Sequence, residues 1–98
     1  MIVKFIRAGA IALKFPNLSR SFNAARQSIR FGGYDTVFEV AFEVDTGALA
    51  QIDTEGKLHD EAAWLAVFDD NRALIERVAS AVYAKQPRRF VQLAAAHF

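Results

Sequence analysis

The stretch Gln27–Val44, QSIRFGGYDTVFEVAFEV, decides the fold. Two runs alternate apolar with polar side chains, the period of a strand with one face in a core. Between them Gly32, Gly33, Tyr34 and Asp35 have the composition of a tight turn. The pattern predicts a β-hairpin whose inner face sets Ile29 and Phe31 beside Phe38, Val40, Phe42 and Val44. A loop at Tyr34 and Asp35 pairs Phe31 with Phe38, Ile29 with Val40 and Arg30 with Glu39, and the continued ladder brings Arg26 opposite Glu43. Only registers whose paired numbers have an odd sum keep both apolar sets on one face. The register that matches aromatics therefore also matches charges.

Upstream, Ile11 to Phe15 alternates as a first strand with Ile11, Leu13 and Phe15 on one side, and Pro16 ends it. Asn17 to Ala25 reads as a polar, turn-rich segment anchored by Leu18 and Phe22. Downstream, Asp45 or Thr46 caps a short helix to Ile52, and Asp53 to Leu58 is a loop. Asp60 then caps a long helix through Lys85, with Asp60 and Glu61 at its positive end and Lys85 at its negative end. Trp64, Phe68, Ile75, Val78 and Val82 form the stripe that would cover the sheet. Pro87 ends the helix, and Phe90 to Ala94 reads as a last strand. The expected fold is α+β: a small, mainly antiparallel sheet of about four strands, covered on one face by one long helix plus a short one.

A chain of 98 residues supports a single core. With 53% hydrophobic residues and nine phenylalanines it holds more apolar material than so small a domain easily hides. Some is expected to meet a partner, around the N-terminal strand and the sheet edge. Residues 1–10, with Ile2, Val3, Phe5 and Ile6, are expected as an N-terminal extension packing as an extra edge strand or against a neighbouring chain, ahead of a domain over 11–98. The chain has no Cys, which excludes a disulfide framework, thiolate zinc ligation and a cysteine nucleophile and fits the cytoplasm. Lys4 and Arg7 interrupt the apolar start, leaving too short a run for a signal peptide or membrane span.

Net charge is +1, but residues 1–33 carry six bases and no acid, residues 34–70 ten acids against Lys57, and residues 71–98 five bases against Glu76. If the termini meet, Lys85, Arg88 and Arg89 join Lys4, Arg7, Lys14 and Arg20 in a basic patch, with Tyr83 and Phe90 for stacking. No recognition-helix or RNA-binding strand signature accompanies them.

Catalytic triads, a glycine-rich phosphate loop, zinc-protease and calcium-loop spacings are all absent. His59 and His97 lie far apart without ligand-spaced acids. Glu39 and Glu43 sit four residues apart on one strand face, roughly 13 Å, which is wider than a glycosidase pair. No catalytic, cofactor-binding or metal-binding residue is assigned, and no cofactor is expected. Asn71 falls on the apolar stripe between Phe68 and Ile75, where a polar group must find a partner or face water. With Arg72 it faces a cleft or partner, or else it bonds a nearby loop while Arg72 pairs with Asp69 or Glu76. Tyr34, Asn71, Arg72, Lys85, Arg88 and Arg89 are thus the candidate interaction residues. A site built from Asp69, Arg72 and Tyr34 has no nucleophile and base that can be named together.

From Leu13 onward the chain resembles the bacterial domain-of-unknown-function family 1488. The resemblance rests on Phe15-Pro16-Asn17, Phe22, Arg30-Phe31, Gly33-Tyr34-Asp35, Val40, Phe42 and Val44. It continues through Leu49, Phe68, Asn71-Arg72, Ile75, Ala79, Tyr83 and Leu93 to Phe98. Members tend to begin near the Phe-Pro-Asn segment and to end in Asp-Phe, where this chain has His97-Phe98. The resemblance implies a bacterial cytoplasmic α+β domain and no particular chemistry. The expected role is a non-catalytic interaction or regulatory module acting as a homodimer, with a nucleic-acid-associated regulator as the alternative.

Overall fold

The computed structural model describes residues 13–53 and 59–98. The edge strand expected within residues 1–10, and Ile11 and Ala12 of the first strand, lie outside the described residues. Four strands, β1 (Arg20–Asn23), β2 (Ser28–Asp35), β3 (Phe38–Asp45) and β4 (Phe90–Leu93), form one sheet in the order β1-β2-β3-β4. Between β3 and β4 run α1 (Thr46–Ile52), α2 (Glu61–Asp70) and α3 (Arg72–Lys85), and a 3₁₀ turn, Ala95–His97, follows β4.

β1, β2 and β3 pair antiparallel, whereas β4 is parallel to β3. A parallel neighbour requires a crossover. Here the crossover is the three helices, and they cover the sheet face that carries Ile29, Phe31, Val40, Phe42, Val44, Val91 and Leu93. Ala48, Leu49, Val67, Phe68, Ile75, Ala79 and Tyr83 complete the core from the helix side. Phe31 stacks on Phe42 with centroids 5.3 Å apart and meets Phe68 edge-on at 5.1 Å, geometries that add to area burial.

The hairpin is present, and its register is a correction. Phe31 pairs with Phe42, Ile29 with Val44, Arg30 with Glu43 and Tyr34 with Glu39. The odd sum is kept but shifted by four residues, and the turn falls at Thr36 and Val37, with Thr36 at φ 56. The longer register joins eight residue pairs and puts both large aromatics in the core. It leaves Phe38, expected on the inner face, 56% exposed at the rim.

Gly33 is accordingly a site of close approach. A Cβ there would lie 2.7 Å from the Phe15 ring. Of the expected first strand, the described residues contribute one bridge, Lys14 to Tyr34. The segment read as turn-rich contains β1, in which Phe22 alone reaches the core.

The expected caps hold. The Asp45 carboxylate accepts from the Ala48 N–H and that of Asp60 from the Ala63 N–H, satisfying helix-start donors. The single long helix does not hold, because Asn71 breaks it at φ −114 and ψ 20. Its side-chain amide donates to the Val67 carbonyl at 2.9 Å, the local competition that makes Asn a poor interior helix residue. Each half then presents its own face: Val67 and Phe68 on α2, then Ile75, Ala79 and Tyr83 on α3, with the expected Trp64 and Val82 packed against that core and the expected Val78 outside it.

Candidate functional site

The candidate residues divide among three places. At the α2–α3 junction Asn71 caps the break. The Arg72 Nε donates to Glu76 Oε2 at 2.9 Å, its Nη1 donates to the Leu18 carbonyl at 3.1 Å, and its guanidinium lies 5.1 Å from the Phe68 ring centroid. Beside it Arg20 grips Asp69 through two bonds of 2.9 and 2.7 Å, and this holds the Asp69 carboxyl below its usual range. These contacts tie the segment around β1 to the helix layer. Asn71 and Arg72 have internal partners here.

Tyr34 lies on the opposite sheet face, which no helix of the described residues covers. There it lines a shallow groove of about 380 Å³ with Asn17, Ser19, Ser21, Arg30 and Glu39. The sheet therefore separates Tyr34 from Asp69 and Arg72, and the three do not form a site. The same face holds Glu43, 5% exposed, gripped by Arg26 at 2.7 and 2.8 Å and by Gln92 at 3.2 Å. Arg26's hydrogen bonds hold the Glu43 carboxyl down to about 2 against the upward push of burial. Arg26 and Gln92 thus satisfy a carboxylate that is almost wholly enclosed.

Lys85, Arg88 and Arg89 gather where α3 ends and β4 begins. The Arg89 guanidinium sits 5.8 Å from the Phe38 ring centroid, and Arg30 sits 5.1 Å from that of Phe90. No carboxylate lies within ion-pair distance of Lys85, Arg88 or Arg89 among the described residues. β1 and β4 are opposite edges of the sheet. Two strands thus lie between Arg20, which is paired with Asp69, and the C-terminal bases, while Lys4 and Arg7 lie outside the described residues.

His59 sets its Nε2 2.7 Å from Asp53 Oδ2 and stacks on Trp64 with centroids 4.0 Å apart. His97 Nδ1 accepts from the Ala94 N–H. Among the described residues no three His, Cys, Asp or Glu side chains are placed to hold a metal, and no helix is long and apolar enough to cross a membrane.

The feature that sequence reasoning misassigned is the second face of α3. At 100° per residue, Leu74, Val78, Ala81 and Lys85 fall within roughly 60° of one another, well away from the Ile75–Ala79–Tyr83 face. Leu74 and Val78 are half-buried and Ala81 exposed, and none belongs to the core cluster. Val78, Ala81 and Val82 line a groove of about 470 Å³ with Lys85, Gln86, Ala96 and His97. The large exposed apolar side chains are Leu18, Val37, Phe38 and Phe90, and of these Phe38 and Phe90 lie near the start of β4 under Arg89 and Arg30.

Fold and topology together define an α+β domain with a mixed four-stranded sheet and one helical layer. The chain belongs to the protein family of unknown function DUF1488, whose model matches residues 13–93. Its fold is similar to that in the crystal structure of a DUF1488 protein of unknown function from Shewanella loihica PV-4. That likeness has a TM-score of 0.71 at 15% identity and covers 85% of this chain and 92% of the other. Comparison with curated proteins finds no match.

Proposed function

We propose that this chain is a non-catalytic interaction module of the bacterial cytoplasm that works as a homodimer, with a second copy seated on the outer face of α3. The observation that carries this reading is the second apolar stripe of that helix, Leu74, Val78 and Ala81, which the core does not use. Apolar surface at helical spacing seeks a partner helix, and a small residue such as Ala81 permits close approach. Two α3 helices packed antiparallel across a two-fold axis satisfy both stripes at once, since an isologous interface uses one patch twice. The stripe also absorbs part of the apolar excess that the composition implies.

The nucleic-acid alternative has weaker support, because the described N-terminal bases, Lys14 and Arg20, lie on the β1 side of the sheet and the C-terminal bases at β4, the opposite edge among the described strands. Light scattering across a concentration series tests the proposal. The chain is expected to run as a dimer, and Val78→Glu with Ala81→Glu to run as a monomer with an unchanged circular dichroism spectrum. A monomeric parent chain, or a charged variant that stays dimeric, removes the reading. A salt-titrated DNA and RNA binding assay should show no specific binding at physiological salt.

A further inference from the structure

Among the described residues β4 is a four-residue edge strand. The Arg89 carbonyl accepts from the Ala41 N–H, so odd-numbered residues of β4 direct their main-chain groups toward β3. Alternation then turns the N–H and C=O of Phe90 and Gln92 outward, the template on which an added strand pairs. At the head of this edge stand Arg88 and Arg89 without carboxylate partners among the described residues, with Phe38 and Phe90 56% and 40% exposed beside them. A hollow of about 280 Å³ opens there, lined by Phe38, Glu39, Val40, Tyr83, Pro87, Arg88 and Arg89.

We infer that the β4 edge docks an extended acidic segment of a protein partner by strand addition. Main-chain bonds to Phe90 and Gln92 supply the ladder, and alternate side chains of the segment reach opposite sides of the edge. Acidic side chains meet Arg88 and Arg89, and apolar ones pack on Phe90 and Phe38. Glu39 occupies one wall and disfavours a second anion there, which limits the charged contact to the head of the strand. Lys85, Arg88 and Arg89 can together neutralise about three phosphates, far fewer than the six to ten that make polyanion binding strong. Apart from Lys85, which also lines the α3 groove, the surface uses none of the residues of the outer α3 face, and its main contacts, Arg88, Arg89, Phe90 and Gln92, do not depend on whether the chain dimerises.

The test is fluorescence polarisation of the full chain with a fluorescein-labelled peptide of alternating glutamate and valine. A lysine–valine peptide and a single-stranded oligothymidine serve as the comparison probes. The acidic peptide is expected to bind, and Arg88→Glu with Arg89→Glu, both exposed positions, to weaken it roughly tenfold or more while circular dichroism is unchanged. Gln92→Pro removes one outward N–H and is expected to weaken the same probe, and Gln92→Ala, which keeps it, to bind as the parent does. The inference is overturned if the acidic peptide does not bind, if the double arginine variant binds it equally well, or if oligothymidine binds in preference.

Discussion

Arg26 and Glu43 form a two-point ion pair, Nε to Oε2 at 2.7 Å and Nη2 to Oε1 at 2.8 Å, between the β1–β2 turn and the middle of β3. Glu43 is almost wholly enclosed, and its folded-state carboxyl is held to about 2, chiefly by Arg26's hydrogen bonds. In an unfolded chain the group titrates near the ordinary value of roughly 4.3. A depressed folded value means that the stabilisation is complete above that ordinary value and is lost as pH falls toward the folded one. The urea midpoint should therefore decline between about pH 4.5 and pH 2. Glu43→Gln should start lower at neutral pH and lose less across that window. An acid limb as steep in the variant as in the parent would place the lost stability elsewhere.

Tyr83 behaves in the opposite sense. Its phenol donates to Asp35 Oδ2 at 2.7 Å, joining the end of α3 to the end of β2. That bond, with burial and the neighbouring negative charge, pushes the phenol's pKa up. The contribution is full below the ordinary tyrosine value of about 10 and disappears as pH rises through the higher folded value. Ultraviolet difference titration of the parent against Tyr83→Phe isolates this group from Tyr34. It should show the missing transition above the ordinary tyrosine range, and the variant should lose about 1 kcal/mol at neutral pH.

Phe68 is fully buried, meets Phe31 edge-on at 5.1 Å and lies under the Arg72 guanidinium. Phe68→Ala is expected to cost roughly 3–5 kcal/mol in chemical denaturation, enough to unfold a marginal domain of this size. A loss below about 1 kcal/mol would mean that neighbouring side chains collapse into the space.

What the sequence disclosed follows from which forces act locally. The hairpin, the side-chain parity, the caps at Asp45 and Asp60 and the last strand were legible because alternation and capping act between near neighbours. The register was not, since two odd-sum registers both bury apolar faces. What separates them is long-range: Phe15 reaching over Gly33 and Phe68 reaching Phe31. β1 was hidden because its partner strand and Asp69, not its own composition, fix it. Asn71 was legible as an anomaly on an apolar stripe, yet the helix break and the resulting α3 face follow only once the amide bonds Val67. Of the candidate residues, Lys85, Arg88 and Arg89 gather at one corner, and Asn71 and Arg72 at the α2–α3 junction lie across the sheet from Tyr34.

Gly33 offers the sharpest test of the register. Gly32 and Gly33 are adjacent on β2, but a Cβ at Gly33 would meet the Phe15 ring at 2.7 and 3.0 Å and the Lys14 carbonyl at 3.3 Å. At Gly32 the nearest atom is the carboxylate oxygen of Glu39 at 3.3 Å, the end of a side chain that is free to swing. Since Lys14 exchanges two backbone bonds with Tyr34, of 3.0 and 2.8 Å, Phe15 cannot retreat without loosening that bridge. Gly33→Ala is therefore expected to lose roughly 1–3 kcal/mol, the usual cost of overpacking. Gly32→Ala should stay within about 0.5 kcal/mol of the parent, as surface changes generally do. Hydrogen exchange adds a local readout, with faster exchange at the Lys14 and Tyr34 amides in Gly33→Ala alone. Equal losses in the two variants would return the glycines to the role of a turn and refute the close approach of Phe15.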